Sequence, residues 1–83
     1  MYKVTIASHA QRQLRKLSKD VQLRLAPRLR SIPDHPNLTN IKKLEGSKSA
    51  WRLRVGDYRI LYEVNDATRE IIVYSVASRK EAY

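Results

Sequence analysis

The chain has 83 residues, with 17 Lys and Arg against 8 Asp and Glu, a formal net charge of +9, and 42% hydrophobic residues. That length supports one domain, residues 1–83, with one core, and leaves no room for a cofactor domain beside a substrate domain. The composition is globular rather than disordered, and the absence of cysteine removes disulfides, thiolate catalysis, iron–sulfur clusters and zinc fingers together. Self-repulsion at +9 opposes folding, so the surplus points to a polyanionic partner: nucleic acid, an acidic protein, or both. No apolar run approaches the ~20 residues that a bilayer requires. The start, Met-Tyr-Lys-Val-Thr-Ile, has no apolar signal region, and a cytoplasmic location is expected.

Tyr2, Val4 and Ile6 alternate with Lys3, Thr5 and Ala7, a period of two that predicts a strand. Ser8 is placed to cap a following helix, on which Ala10, Leu14 and Leu17 form the apolar stripe. Arg12, Arg15, Lys16 and Lys19 fall mostly elsewhere. Asp20 is expected to cap a second helix with the stripe Val21, Leu25, Leu29 and Ile32. Pro27 removes a donor inside it, predicting a kink between Leu23 and Pro27. The two helices form a hairpin. Pro33 and Pro36 make their segment a loop, and Ile41 to Lys48 reads as irregular. Trp51, Leu53 and Val55 then alternate with Arg52 and Arg54, Gly56-Asp57 is a two-residue turn, and Tyr58 to Val64 is the return strand. After a turn at Asn65-Asp66-Ala67-Thr68, Glu70 to Ala77 is a β-branched strand. The order β-α-α-β-β-β is an α+β fold, an antiparallel sheet with the helical hairpin on one face.

The hairpin carries the chemistry. A two-residue turn pairs Val55 with Tyr58, hence Arg54 with Arg59 and Arg52 with Leu61. Directly opposed residues share a face, so Arg52, Arg54 and Arg59 meet on the side away from the helices. Like charges opposed across strands are destabilising unless an anion sits among them, and arginine binds phosphate bidentately. An Arg-x-Arg strand by itself is more often a solvated face. Arg59, Arg79 and the overall charge turn the balance toward a site. Tyr83 beside basic residues has the form of a base-stacking group. Trp51 reads as a core anchor, and His9 and His35 as surface histidines. With two histidines and no cysteine no metal site is expected, nor any cofactor, and Ser47 and Ser49 lack the companions of a hydrolase triad.

Three stretches resemble a known family: Lys43-Leu44-Glu45-Gly46; Trp51-Arg52-Leu53-Arg54-Val55-Gly56-Asp57-Tyr58-Arg59-Ile60-Leu61-Tyr62-Glu63-Val64; and Val76-Ala77-Ser78-Arg79-Lys80-Glu81-Ala82-Tyr83. They are similar to the RelE/ParE toxins, with RelE as the nearer branch. Its members belong to toxin–antitoxin pairs and cut messenger RNA in the ribosomal decoding site. The resemblance implies a metal-independent endoribonuclease in which the ribose 2′-hydroxyl attacks the adjacent phosphate. It assigns Arg59, Arg79, Tyr83 and Arg54 to catalysis, and Arg52, Arg54, Lys80 and Lys48 to RNA binding. It also implies an acidic cognate antitoxin, with messenger RNA and the ribosome as the other partners. The best-known RelE has lysine at both positions of the first hairpin strand. Arginine, with a pKa above ~12, does not give up its proton, so the resemblance leaves the general base open. Other expectations on the same sequence are a ParE-like gyrase inhibitor and a non-catalytic basic RNA-binding module.

Overall fold

The alternating segments from both ends of the chain meet in one sheet. The computed structural model describes residues 1–78, in the order β1 (Lys3–Ile6), α1 (Ser8–Lys16), α2 (Lys19–Ser31), a 3-10 turn (Ile32–Asp34), β2 (Ile41–Lys43), β3 (Ala50–Val55), β4 (Tyr58–Asn65) and β5 (Glu70–Ser78). The strand order is β1-β5-β4-β3-β2. Strands β2 to β5 are antiparallel neighbours. The expected antiparallel sheet is mixed at one edge, where β1 runs parallel to β5 with Val4 opposite Ile71 and Ile6 opposite Val73. Parallel pairing needs a long crossover, and here the helices and three strands intervene.

Helix α1 lies on β5 and α2 reaches β3. Ala10, Val21, Leu25 and Ile32 are buried on the helical side, and Leu53, Ile60, Tyr62, Ile71, Val73 and Val76 on the sheet side. The stripes read from sequence are therefore the buried faces, with Leu14, Leu17 and Leu29 packed partly against them. Each fully buried aliphatic side chain contributes about 1.5–3 kcal/mol.

Three local expectations are corrected. Ala7, not Ser8, is the N-cap of α1, because the Ala7 N–H is still held by the Val73 carbonyl at 2.8 Å and the chain turns helical only at Ser8. Ser18, not Asp20, caps α2. The chain leaves α1 extended, and the Ser18 hydroxyl accepts from the Val21 N–H, with Asp20 in the first turn beside the positive end of the helix dipole. Helix α2 runs as one element through Pro27. The carbonyl that proline leaves without its donor belongs to Leu23, which is 64% exposed and open to water. Ile41–Lys43, read as irregular, is an edge strand, with Ile41 opposite Leu53 and Lys43 opposite Trp51.

His35 is the largest correction, for it is not a surface histidine. The 3-10 turn ends in a bond from the His35 N–H to the Ile32 carbonyl, and the ring, 8% exposed, enters an aromatic cage. Trp51, Tyr62 and Tyr2 stand edge-on to it at 4.6, 5.5 and 5.9 Å between centroids. Nδ1 shares a 2.9 Å hydrogen bond with the Tyr62 hydroxyl. Tyr2 in turn donates to Asp66 and lies under the Arg69 guanidinium, 4.2 Å from its ring centroid. This ties β1, the 3-10 turn, β3 and the β4–β5 turn together. His9 is exposed, as expected.

Burial pushes the Tyr62 hydroxyl up to about 12. It holds the His35 pKa below its ordinary value, against an opposing pull from Asp66. The unfolded chain, with His35 near ~6.5, then takes up a proton more readily than the folded one. The contribution of neutral His35 is present above that pH and is lost as pH falls through the lower folded value. Thermal denaturation is expected to show a melting temperature that drops between pH 7.5 and 5.5. His35→Gln, less stable at neutral pH, should flatten that drop; an equal drop in the variant would show that another group drives it.

Candidate nucleic-acid interface

The two-residue connection Gly56-Asp57 sets the site. Gly56 has a φ of +59°, a conformation glycine adopts without strain. The strands on either side then pair Val55 with Tyr58, Arg54 with Arg59, Leu53 with Ile60 and Arg52 with Leu61, the register read from sequence. Leu53 and Ile60 are wholly buried under the helices. Pleating therefore turns their neighbours Arg52, Arg54 and Arg59 to the opposite face, away from the helices. The structure brings the three hairpin arginines together.

Their environments differ. Arg54 is exposed, and its Nε donates to the Gly56 carbonyl at 3.4 Å. Arg52 is half-buried, and its Nε is shielded from solvent with no hydrogen-bond partner among the described residues. Arg59 is 9% exposed. It sits mid-sheet, between Arg54 and Ala77.

Ala77 lies opposite Arg59 and Ser78 opposite Tyr58, so the last described residues of β5 lie at the Arg59 end. Arg79, Lys80 and Tyr83 lie outside the described residues. Lys48 is exposed in the β2–β3 loop, before Ala50, which is itself about 7 Å from Arg52 and about 13 Å from Arg54 along the strand. Trp51 is on the helical side against His35, the core anchor expected of it.

Sequence reasoning missed one cation of this face. Lys42, exposed on β2, stands directly opposite Arg52 and so shares its side. A strand of three residues is too short for alternation to declare it, and no other pattern singled Lys42 out. Together Lys42, Arg52, Arg54 and Arg59 form a compact cationic surface with bidentate donors in three of its four positions, suited to phosphate.

The model of the ParE toxin family, from type II toxin–antitoxin systems, matches residues 4–83. A RelE-like toxin protein of Escherichia coli is 30% identical over 83 residues, spanning 98% of this chain and 86% of its own length. The RelB–RelE antitoxin–toxin complex from Methanococcus jannaschii superposes with a TM-score of 0.78 at 31% identity, over 94% of this chain and 93% of that one. The RelBE complex of Escherichia coli gives 0.76 at 28% identity, over 94% of each. The isolated Escherichia coli RelE toxin shares the fold, with a TM-score of 0.80 at 24% identity over 99% and 95%. This chain belongs to the RelE/ParE superfamily of toxins of type II toxin–antitoxin systems, and is RelE-like.

Opposed like charges weaken a strand pair, where a cross-strand pair is worth roughly 0.2–1 kcal/mol. Arg54→Thr should therefore stabilise the protein by a few tenths of a kcal/mol or more at low ionic strength. The gain should shrink at about 1 M salt, where the Debye length is near 3 Å. Denaturant unfolding at two salt concentrations measures it, and a destabilised variant would show that Arg54 is held by attraction rather than by the core beneath it.

Proposed function

We propose that this toxin is a ribosome-dependent messenger RNA endonuclease that arrests translation by cutting in the decoding site. The observation that carries this reading is the set of arginines on the sheet face away from the helices, held by the register of β3 and β4 beside the end of β5. In the reaction the ribose 2′-hydroxyl attacks its own 3′-phosphate and the 5′-oxygen of the next nucleotide leaves, giving a 2′,3′-cyclic phosphate and a 5′-hydroxyl. The protein lowers the barrier by holding the hydroxyl in line and by stabilising the charge on the pentacovalent phosphorus. Arg59 and Arg79 are assigned to that phosphate, with Arg79 at the leaving oxygen. Arg52, Arg54, Lys48 and Lys80 hold the RNA backbone and Tyr83 stacks on a base.

Arginines supply electrostatic stabilisation and no proton acceptor. A site of this kind depends on its substrate being presented in reactive geometry, which is the role given to the ribosome. The cognate partner is an acidic antitoxin that meets the basic surface; two of the similar structures are RelB–RelE antitoxin–toxin complexes. A second reading, inhibition of DNA gyrase, is favoured by the ParE family model that matches the chain.

Primer extension on one messenger RNA, with and without programmed ribosomes, separates the readings. Cuts within codons only when ribosomes are present are expected. Loss of supercoiling activity in a gyrase assay, with intact RNA, would replace the proposal by the ParE reading. Arg59→Ala and Arg79→Ala should each lower cleavage by about 100-fold or more, the scale of removing a transition-state donor, and should relieve growth arrest while the protein stays folded. Retention of full toxicity in a folded double variant would remove these residues from the site.

A further inference from the structure

The charges of the sheet face away from the helices are sorted by row. The two rows nearest the hairpin turn hold Arg54 with Arg59, and Lys42 with Arg52. The next row holds Ala50, Glu63, Ile72 and Thr5, and the one beyond it Asn65, Glu70 and Lys3. Rows on one face are two residues apart, about 6.6 Å, so the cations give way to the carboxylate of Glu63 within one step. Three of the chain's 8 acidic residues, Glu63, Asp66 and Glu70, line one shallow depression at that far end. Tyr74, inserted by the irregularity in β5 between Val73 and Ser75, has its phenol pKa raised by burial and then by the charge of Glu63.

A phosphate chain laid along the strands would leave the arginines and pass over Glu63 before reaching the Glu70–Lys3 pair. Laid across them, it meets Lys42 on β2, Arg52 and Arg54 on β3 and Arg59 on β4. From β2 to β4 that transverse band is about 10 Å wide, room for about two nucleotides.

We infer that the RNA backbone crosses the sheet transverse to the strands, with Lys42 on the β2 edge as its entry contact and Glu63 as the boundary residue that repels it from the far half of the face. This rests on reading the face as an RNA site, and gives that site a direction. Lys42 acts as a point charge on one phosphate. Glu63 sets specificity by repulsion, fixing which way the strand runs over the arginines.

The test is a series of anisotropy titrations of the full chain with a fluorescent single-stranded RNA decamer at several salt concentrations. Lys42→Gln should weaken binding about three- to tenfold and lower the salt slope by about 0.7, the value for one phosphate contact on a single strand. Glu63→Lys should tighten binding and raise the slope by a similar amount. Lys19→Gln and Asp20→Lys make the same charge changes on the helical side, and set the scale of non-specific effects. The path is overturned if Lys42→Gln moves the slope no further than Lys19→Gln does, or if Glu63→Lys moves it no further than Asp20→Lys does. Arg52→Gln and Arg59→Gln complete the series. If they weaken binding while Lys42→Gln leaves it unchanged, only the path fails. If they also leave binding unchanged, the RNA-site reading fails and takes the path with it. Lys42 and Glu63 are exposed, and thermal melts of both variants should match the parent protein.

Discussion

The pairing of β3 with β4 is the constraint on which the rest of this structure depends. A two-residue turn with glycine at its first position gives the two strands no freedom of register. One slipped residue would carry Leu53 and Ile60 into solvent and three arginines into the core. The hydrophobic side enforces the pairing, because Leu53, Ile60 and Val76 form a continuous buried row beneath the helices. The charged side would not choose it. Arg54 faces Arg59 across the ladder because their inward neighbours must meet, so burial on one face holds like charges together on the other.

That division explains where the fold is reinforced. The sheet ends away from the arginines are tied by interactions unrelated to RNA: the His35 cage, the Tyr2–Asp66 bond and the Arg69 stack. They join β1 and the β4–β5 turn, elements that the hairpin does not itself organise. A domain of this size has little core to spare, and placing an aromatic cluster at the far end leaves the cationic end free to be unfavourable in isolation. The edge strand β2 extends the same logic. Ile41 covers Leu53 on the inner side while Lys42 adds a further cation on the outer one, and Lys42 and Lys43 blunt the edge against pairing with other chains.

The parts legible in the sequence were those fixed by local pattern. The helical stripes, the hairpin register and the shared face of Arg52, Arg54 and Arg59 follow from periods of 3.6 and 2 and from one turn, and each is found as read. The parts that were not legible depend on distant partners. The strand Ile41–Lys43 exists only because β3 lies beside it. The parallel edge depends on a crossover that no single window contains. His35 sits among prolines and polar residues, and nothing near it in sequence announces Tyr2, Trp51 and Tyr62, which come from three separate strands or their ends. Ser8 and Asp20 illustrate a finer limit. Several residues at a helix start have capping side chains, and the one that caps is chosen by where the preceding element releases the backbone, at Ala7 for α1 and at Ser18 for α2. The terminal residues assigned to the reaction, Arg79 and Tyr83, lie outside the described residues, so for the site the structure speaks to the sheet platform alone.

The platform itself carries an argument about charge. A net charge of +9 is unfavourable for the folded state, yet the few carboxylates are not spread to neutralise it. Among the described residues of the face away from the helices, none stands in the arginine rows: Glu63 lies one row beyond them, and Glu70, opposite Lys3, two. Had solubility alone shaped this surface, an acid at position 61 or 75, directly beside Arg52 across the sheet or one strand further, would have relieved the repulsion at no cost to the core. Those places are held by Leu61 and Ser75, neither of which neutralises a guanidinium. Guanidiniums set in adjacent rows, with no carboxylate from the described strands between them, suit an anion, and Glu63 one row beyond limits where that anion can lie.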